Sequence, residues 1–270
     1  MALLPPSFLD CVVAIGNPSK NWIGTGFLFG KLVQRSEDNQ NTYTIYLVSN
    51  KHVLEQQTQI MLRFNPQDDN SAKDYPLSLK DSAGNNIWIG HPNKDVDVAI
   101  IQINALVLQE EGMKFSFFQS DSHIFTKDKL IEIGATEGDF IYVLGFPMGI
   151  VAKDRQHVIL RGGVIARIRD LFENRSTDFI VDAFVFPGNS GGPVILKPEI
   201  ISIGGTKSNK SAGLIGVVKS YIPYSDVAIS QQTGKPRVLF EDNSGLSIVE
   251  PVDYILETIE ESERIHNPNV

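Results

Sequence analysis

Val181-Asp182-Ala183-Phe184-Val185-Phe186-Pro187-Gly188-Asn189-Ser190-Gly191-Gly192-Pro193 carries an apolar, β-prone segment into a serine enclosed by glycines. The glycines on both sides of Ser190 let the backbone bend tightly and leave the hydroxyl open on the outside of the bend. The same bend allows successive N–H groups to aim at one point. The segment Gly188, Asn189, Ser190 is therefore a candidate oxyanion hole, with the amides of Gly188 and Ser190 as donors to a tetrahedral intermediate. Taken alone, the stretch also reads as a plain Gly/Asn/Ser turn between two strands.

Outward from this point the chain reads as short strands. After it come 193–196, 214–220 and 247–249, and before it 140–145, 158–167 and 179–185, all rich in Val, Ile, Phe and Tyr. Further upstream, 10–16, 22–32, 43–49, 60–64 and 96–103 continue the rhythm, with one polar loop over 65–73. Between 106 and 136 the alternation weakens. Regular short strands favour a barrel or sandwich over a parallel α/β sheet. The pattern predicts an all-β chain of two six-stranded antiparallel β-barrels, over residues 1–117 and 136–250, joined by a connection over 118–135. A helix and tail follow over 251–270: Pro251 can open a helix in which Val252, Ile255, Leu256 and Ile259 form one apolar stripe, predicted to lie on the second barrel. Gly162-Gly163 and Gly204-Gly205 read as turns, and the acidic residues from Glu257 to Glu263 as a solvated helix face.

A nucleophilic serine needs a base. Of the five histidines, His52 is the one placed immediately after an apolar β-run, in Tyr46-Leu47-Val48-Ser49-Asn50-Lys51-His52-Val53-Leu54. A structural histidine capping that strand is the competing reading. A third group must hold the imidazole tautomer and stabilise the imidazolium. Asp95-Val96-Asp97-Val98-Ala99-Ile100-Ile101 supplies two carboxylates; Asp97 directly precedes the apolar run, whereas Asp95 suits a solvated loop.

Composition bounds the alternatives. The 270 residues are 42% hydrophobic and 21% charged, an ordinary globular balance. Lys and Arg number 24 against 32 Asp and Glu, a net charge of −8, which argues against nucleic-acid binding. Cys11 is the one cysteine, so no intrachain disulfide forms, and no His-x-x-x-His or Cys-x-x-Cys pair suggests a metal site. No apolar stretch approaches a membrane span and no signal-like segment opens the sequence, so a cytoplasmic, reducing compartment is expected.

The three motifs Ser-Asn-Lys-His-Val, Asp-Val-Ala-Ile-Ile and Gly-Asn-Ser-Gly-Gly-Pro, in that order, resemble those of chymotrypsin-fold serine proteases. Gly24-Thr25-Gly26-Phe27, Gly145-Phe146-Pro147-Met148-Gly149 and the closing Asn243-Ser244-Gly245-Leu246-Ser247-Ile248-Val249-Glu250-Pro251 are similar to motifs of the disulfide-free, bacterial HtrA/Deg-like branch. The departures are the lack of a PDZ domain after the protease-like part, the lack of an export signal, and Asn189 where zymogen-type members carry aspartate. The resemblance implies a serine endopeptidase with His52, Asp97 and Ser190 as its triad, protein or peptide substrates, and no cofactor, metal, nucleic acid or membrane. It implies a primary pocket built from Phe184, Val185 and Phe186 before the nucleophile and Val217, Val218, Lys219, Ser220 and Tyr221 after it. No carboxylate lies among those residues, which points away from cleavage after Lys or Arg; Lys219, turned inward, would instead accept an acidic side chain. A silent peptide-binding module of the same fold, or a serine esterase, are the alternative functions.

Overall fold

The computed structural model describes residues 4–36, 41–68, 70–199, 207 and 209–266. The first half begins with a short helix α1 (Pro6–Leu9) and strands β1 (Val12–Gly16), β2 (Trp22–Gln34) and β3 (Thr42–Ser49). A one-turn helix α2 (Lys51–Leu54) follows, then β4 (Gln59–Pro66), β5 (Lys73–Ser78), β6 (Ile89–Gly90) and β7 (Ala99–Gln102). Helix α3 (Leu106–Glu110), β8 (Met113–Lys114) and β9 (Phe118–Gln119) complete it. The second half holds α4 (Lys127–Ile133), β10 (Phe140–Gly145), β11 (Ile159–Arg167), α5 (Arg169–Phe172), β12 (Phe179–Asp182) and β13 (Pro193–Leu196). It ends with two long strands, β14 (Gly213–Ile229) and β15 (Pro236–Pro251), and helix α6 (Asp253–His266).

The second half closes as expected, in a six-stranded barrel of order β10-β11-β12-β15-β14-β13. The two-barrel fold holds, but among the described residues its first half is a half-barrel of more than six strands. It is a nine-stranded sheet running β5-β4-β1-β2-β3-β7-β6, with β8 added to β4 and β9 parallel to β2. Its path ends at β6, which supplies only two residues because the chain around it is taken up by turns. Asp81 Oδ1 there accepts the amides of Ala83 and Asn85, and Asn93 Oδ1 accepts that of Asp95. An edge two residues long cannot close against β5.

Other differences have a common cause. The stretch of weak alternation, 106–136, which includes the connection read over 118–135, contains α3, β8, β9 and α4, all too short to show a period. Phe118 of β9 pairs into the first sheet and stacks edge-on with Phe8 and Phe27 at 4.9 and 5.5 Å. Strands β14 and β15 pair with each other well past the barrel, through Ala228↔Val238, where neither face meets a core and so no apolar alternation is written. Gly162 and Gly163 lie inside β11 rather than in a turn, and Gly204 and Gly205 fall outside the described residues.

Helix α6 buries the expected stripe, but not on the barrel alone. Val252, Ile255 and Ile259 join a cluster that also holds Phe27, Phe118 and Ile100 of the first half and Leu144, Phe146 and Val217 of the second. This cluster is the seam between the two halves. Cys11 is sealed in it with its Sγ donating to Ser7 O at 3.3 Å; burial pushes the thiol up, which leaves it unreactive. Among the described residues no helix is long and apolar enough to cross a membrane.

Because Ile255 has no solvent exposure and touches both halves, Ile255→Ala should lower unfolding stability by about 2–5 kcal/mol in urea titration. A loss under about 0.5 kcal/mol would mean the seam closes without α6.

Candidate active site

Strand β3 delivers His52. The chain leaves the strand at Ser49, whose Oγ donates to Thr25 O at 2.8 Å, and turns directly into α2. The His52 amide donates to Asp97 Oδ1 at 3.2 Å, and Nδ1 lies 2.5 Å from Asp97 Oδ2. A carboxylate oxygen accepts, so this contact has Nδ1 as the donor, and in the neutral ring Nε2 is then the acceptor. The imidazole is half exposed and the Asp97 side chain largely shielded, at 49% and 16% of their full exposure.

Asp97 is the carboxylate that meets the imidazole because Val96 and Val98, both fully buried, hold it at the edge of the core. Its own peptide groups are held from two directions. Its C=O accepts from Asn50 Nδ2 at 2.6 Å, and its N–H donates to Glu250 Oε1 at 2.9 Å. Asp95 is exposed, and it contributes its backbone oxygen to Lys219 Nζ at 2.8 Å.

The Ser190 segment forms two linked turns. In the first, the Asn189 amide donates to Phe186 O at 2.9 Å across Pro187 and Gly188, with Gly188 at φ +97. Proline second and glycine third at positive φ is the signature of a type II turn. The second repeats it: Gly192 N donates to Asn189 O at 2.8 Å across Ser190 and Gly191, with Gly191 at φ +82. Pro187 O accepts from Met148 N at 2.5 Å, in the turn Pro147–Gly149. In a trans peptide the N–H lies opposite the C=O, so the Gly188 amide faces away from Met148. Among the described residues neither the Gly188 nor the Ser190 amide donates to a protein acceptor. Asn189 between them uses its own amide inside the turn, so the cradle has two donors rather than three.

His52, Asp97 and Ser190 line one cleft of about 430 Å³. Val185, Phe186, Pro187 and Val218 supply apolar wall, with Lys219, Ser220 and Tyr221 along β14. Phe184 is outside this lining; 48% exposed, it stacks on Phe186 with centroids 6.5 Å apart. Ser190 Oγ contacts Lys219 O at 3.5 Å. A larger hollow of about 760 Å³ beside Tyr43, Gln102 and Phe117 has Tyr43 as the one titratable side chain among its described residues.

Sequence reading did not find Thr25, Asn50 or Glu250 as parts of the site. Thr25 and Asn50 lie inside quoted motifs, but their chemistry depends on partners 163 and 47 positions away. Glu250 carried one available signal, a charged residue inside an apolar closing strand.

Residues 24–198 match the trypsin-like peptidase domain family, well over half of the chain, and the chain belongs to that family. Among solved structures, the crystal structure of the MamO protease domain from Magnetospirillum magneticum (apo form) is similar over 93% of this chain and 96% of that one. Its TM-score is 0.50 and its sequence identity 14%, a likeness of fold alone. No curated protein sequence matches the chain.

A methyl group on Gly191 would meet Thr25 O at 2.2 Å and Ser49 Oγ at 2.3 Å. Gly191→Ala should therefore cost at least about 2 kcal/mol of stability in urea titration. Gly162→Ala, where the added methyl meets nothing within 4 Å, should stay within about 1 kcal/mol of wild type. Equal effects would mean that the Ser190 turn is not clamped against Thr25.

Proposed function

We propose that the chain is a serine endopeptidase acting through an acyl-enzyme, with Ser190 as nucleophile, His52 as base and Asp97 as its orienting carboxylate. The observation that carries this is the 2.5 Å contact from His52 Nδ1 to Asp97 Oδ2 in the same cleft as Ser190, whose turn leaves the Gly188 and Ser190 amides without protein acceptors among the described residues. His52 Nε2 takes the Ser190 proton as Oγ bonds to the peptide carbonyl carbon. The carbonyl electron pair moves onto oxygen, which the Gly188 and Ser190 amides hold. Collapse breaks the C–N bond, and the amine leaves with the proton from Nε2. Water then attacks the ester by the same route and frees Ser190. The step requires the Ser190 hydroxyl to leave Lys219 O, its partner here at 3.5 Å, and donate to Nε2, as catalytic hydrogen bonds tighten in the substrate complex.

Ser190→Ala should abolish fluorophosphonate labelling and lower peptide turnover by about 10⁴-fold or more. Asp97→Asn should lower kcat by about 10⁴-fold, whereas Asp95→Asn should leave it within about tenfold of wild type. A more damaging Asp95→Asn would reassign the carboxylate. The second reading, a silent peptide-binding module, is favoured by one observation: the Ser190 hydroxyl contacts Lys219 O. An unlabelled wild type would select it.

For specificity, the cleft wall offers no free anion among the described residues: Asp97 is the one carboxylate there and is engaged by His52, while Val185, Phe186, Pro187 and Val218 are apolar. A buried Lys or Arg side chain would lack a partner, at several kcal/mol, whereas each buried methylene of an aliphatic one gains about 0.8 kcal/mol. In a peptide library, cleavage after Ala, Val or Leu should exceed cleavage after Lys or Arg by about 10²-fold in kcat/KM. Dominant cleavage after basic residues would overturn the apolar assignment.

A further inference from the structure

We propose that Glu250 and Lys219 are positioning residues, an ion pair of the barrel with a buried carboxylate and a partly exposed ammonium, that sets Asp97 against His52 across the seam between the two halves. The proposal rests on the triad reading above.

The segment 91–98 carries Asp97 and is held mainly through its backbone. From the first half, Lys51 Nζ reaches the carbonyls of His91, Asn93 and Lys94 at 3.5, 3.1 and 3.4 Å, and Asn50 reaches that of Asp97. From the barrel come two bonds at the reactive end of the segment. Lys219 Nζ donates to Asp95 O at 2.8 Å, and the Asp97 amide donates to Glu250 Oε1 at 2.9 Å. The same Oε1 lies 2.9 Å from Lys219 Nζ, so one carboxylate oxygen joins the amide of Asp97 to the ammonium.

The local geometry of β14 makes this reach possible. Its register against β15 shifts between Val218 and Ser220, so Lys219 is the extra residue of a bulge. Bulges re-aim a side chain and free a backbone group. Here the side chain turns to Glu250 and Asp95, and the freed carbonyl is the one facing Ser190 Oγ. The ammonium is thereby engaged by the protein rather than offered to a substrate carboxylate.

Stability does not require such a pair, because well-packed apolar residues of similar volume serve a core equally well. Glu250 is fully buried and its Oε2 has no hydrogen-bond partner among the described residues. Burial pushes its carboxyl above the usual range, while the Asp97 amide and Lys219 oppose that. Asp178 and Tyr254 also face it, one adding negative charge and the other a neutral phenol. What the arrangement supplies is geometric: the base and its carboxylate belong to one half, the nucleophile to the other, and this pair bonds to the Asp97 segment from the nucleophile's side.

The test compares wild type, Lys219→Met/Glu250→Gln and Lys219→Arg. The double variant removes both charges together, so no buried ion is stranded, and its thermal unfolding shows whether it is folded. If folding fails in the double variant, Lys219→Gln/Glu250→Gln, which likewise strands no ion and keeps a polar group at each position, takes its place. The readouts are fluorophosphonate labelling of Ser190, kcat and KM on one peptide amide, and the low-field proton resonance of His52 Nδ1. The folded variant should lose about 10²-fold in kcat with KM little changed, as a displacement near 1 Å does. Its Nδ1 resonance should shift or broaden, and Lys219→Arg should recover to within about tenfold of wild type. A labelled wild type whose folded variant keeps both kcat and the resonance overturns this inference alone. A wild type that the probe does not label overturns the triad reading, and this inference with it.

Discussion

Thr25 sits in the middle of the first sheet with no solvent exposure, yet it holds both sides of the nucleophile turn. Its hydroxyl donates to Gly188 O at 2.6 Å and accepts the Phe146 amide at 3.1 Å, while its own amide donates to Ser190 O at 2.9 Å. One buried residue of the first half thus accounts for two carbonyls of the Ser190 loop and one amide of the barrel. Each of these groups would cost about 1–3 kcal/mol if left unpaired in the dry seam. The seam therefore has few ways to close, and the relative placement of His52 and Ser190 follows from that restriction.

Polar groups concentrate where the two halves meet. Among the described residues, the buried side-chain atoms without partners are Asn50 Oδ1, Asn189 Nδ2 and Glu250 Oε2, and all three belong to residues bonded around the candidate site. Native structures leave few such atoms, and those that remain tend to mark places where function constrains the packing. Asn189 illustrates the balance. Its Oδ1 accepts the Phe186 amide and its backbone closes both turns, so a neutral amide keeps the loop in shape where the zymogen-type pattern has aspartate.

The cleft draws its walls from β14, which then leaves the barrel as a ribbon with β15. Tyr224, Ile229, Leu239 and Phe240 along it are more than half exposed. Its paired backbone accounts for its regularity, and the absence of a core beneath it accounts for its mixed composition.

Much was legible in the sequence because it depends on neighbours in the chain. Strand segments follow from β-branched and aromatic runs, the last helix from the stripe of Val252, Ile255 and Ile259, and the tight bend at Ser190 from the glycines on both sides of it. The order of the His52, Asp97 and Ser190 motifs pointed to the family that residues 24–198 match. What could not be read depends on distance. The open first sheet is decided by how few residues β6 has to pair, and the exclusion of Phe184 from the cleft lining by its stacking on Phe186. The placement of Glu250 beneath Asp97 joins positions 153 apart in the chain. Periodicity records which residues face a core, but it carries no information about which two cores will meet. That was decided only when the seam closed and most of the buried backbone groups in it had to be paired.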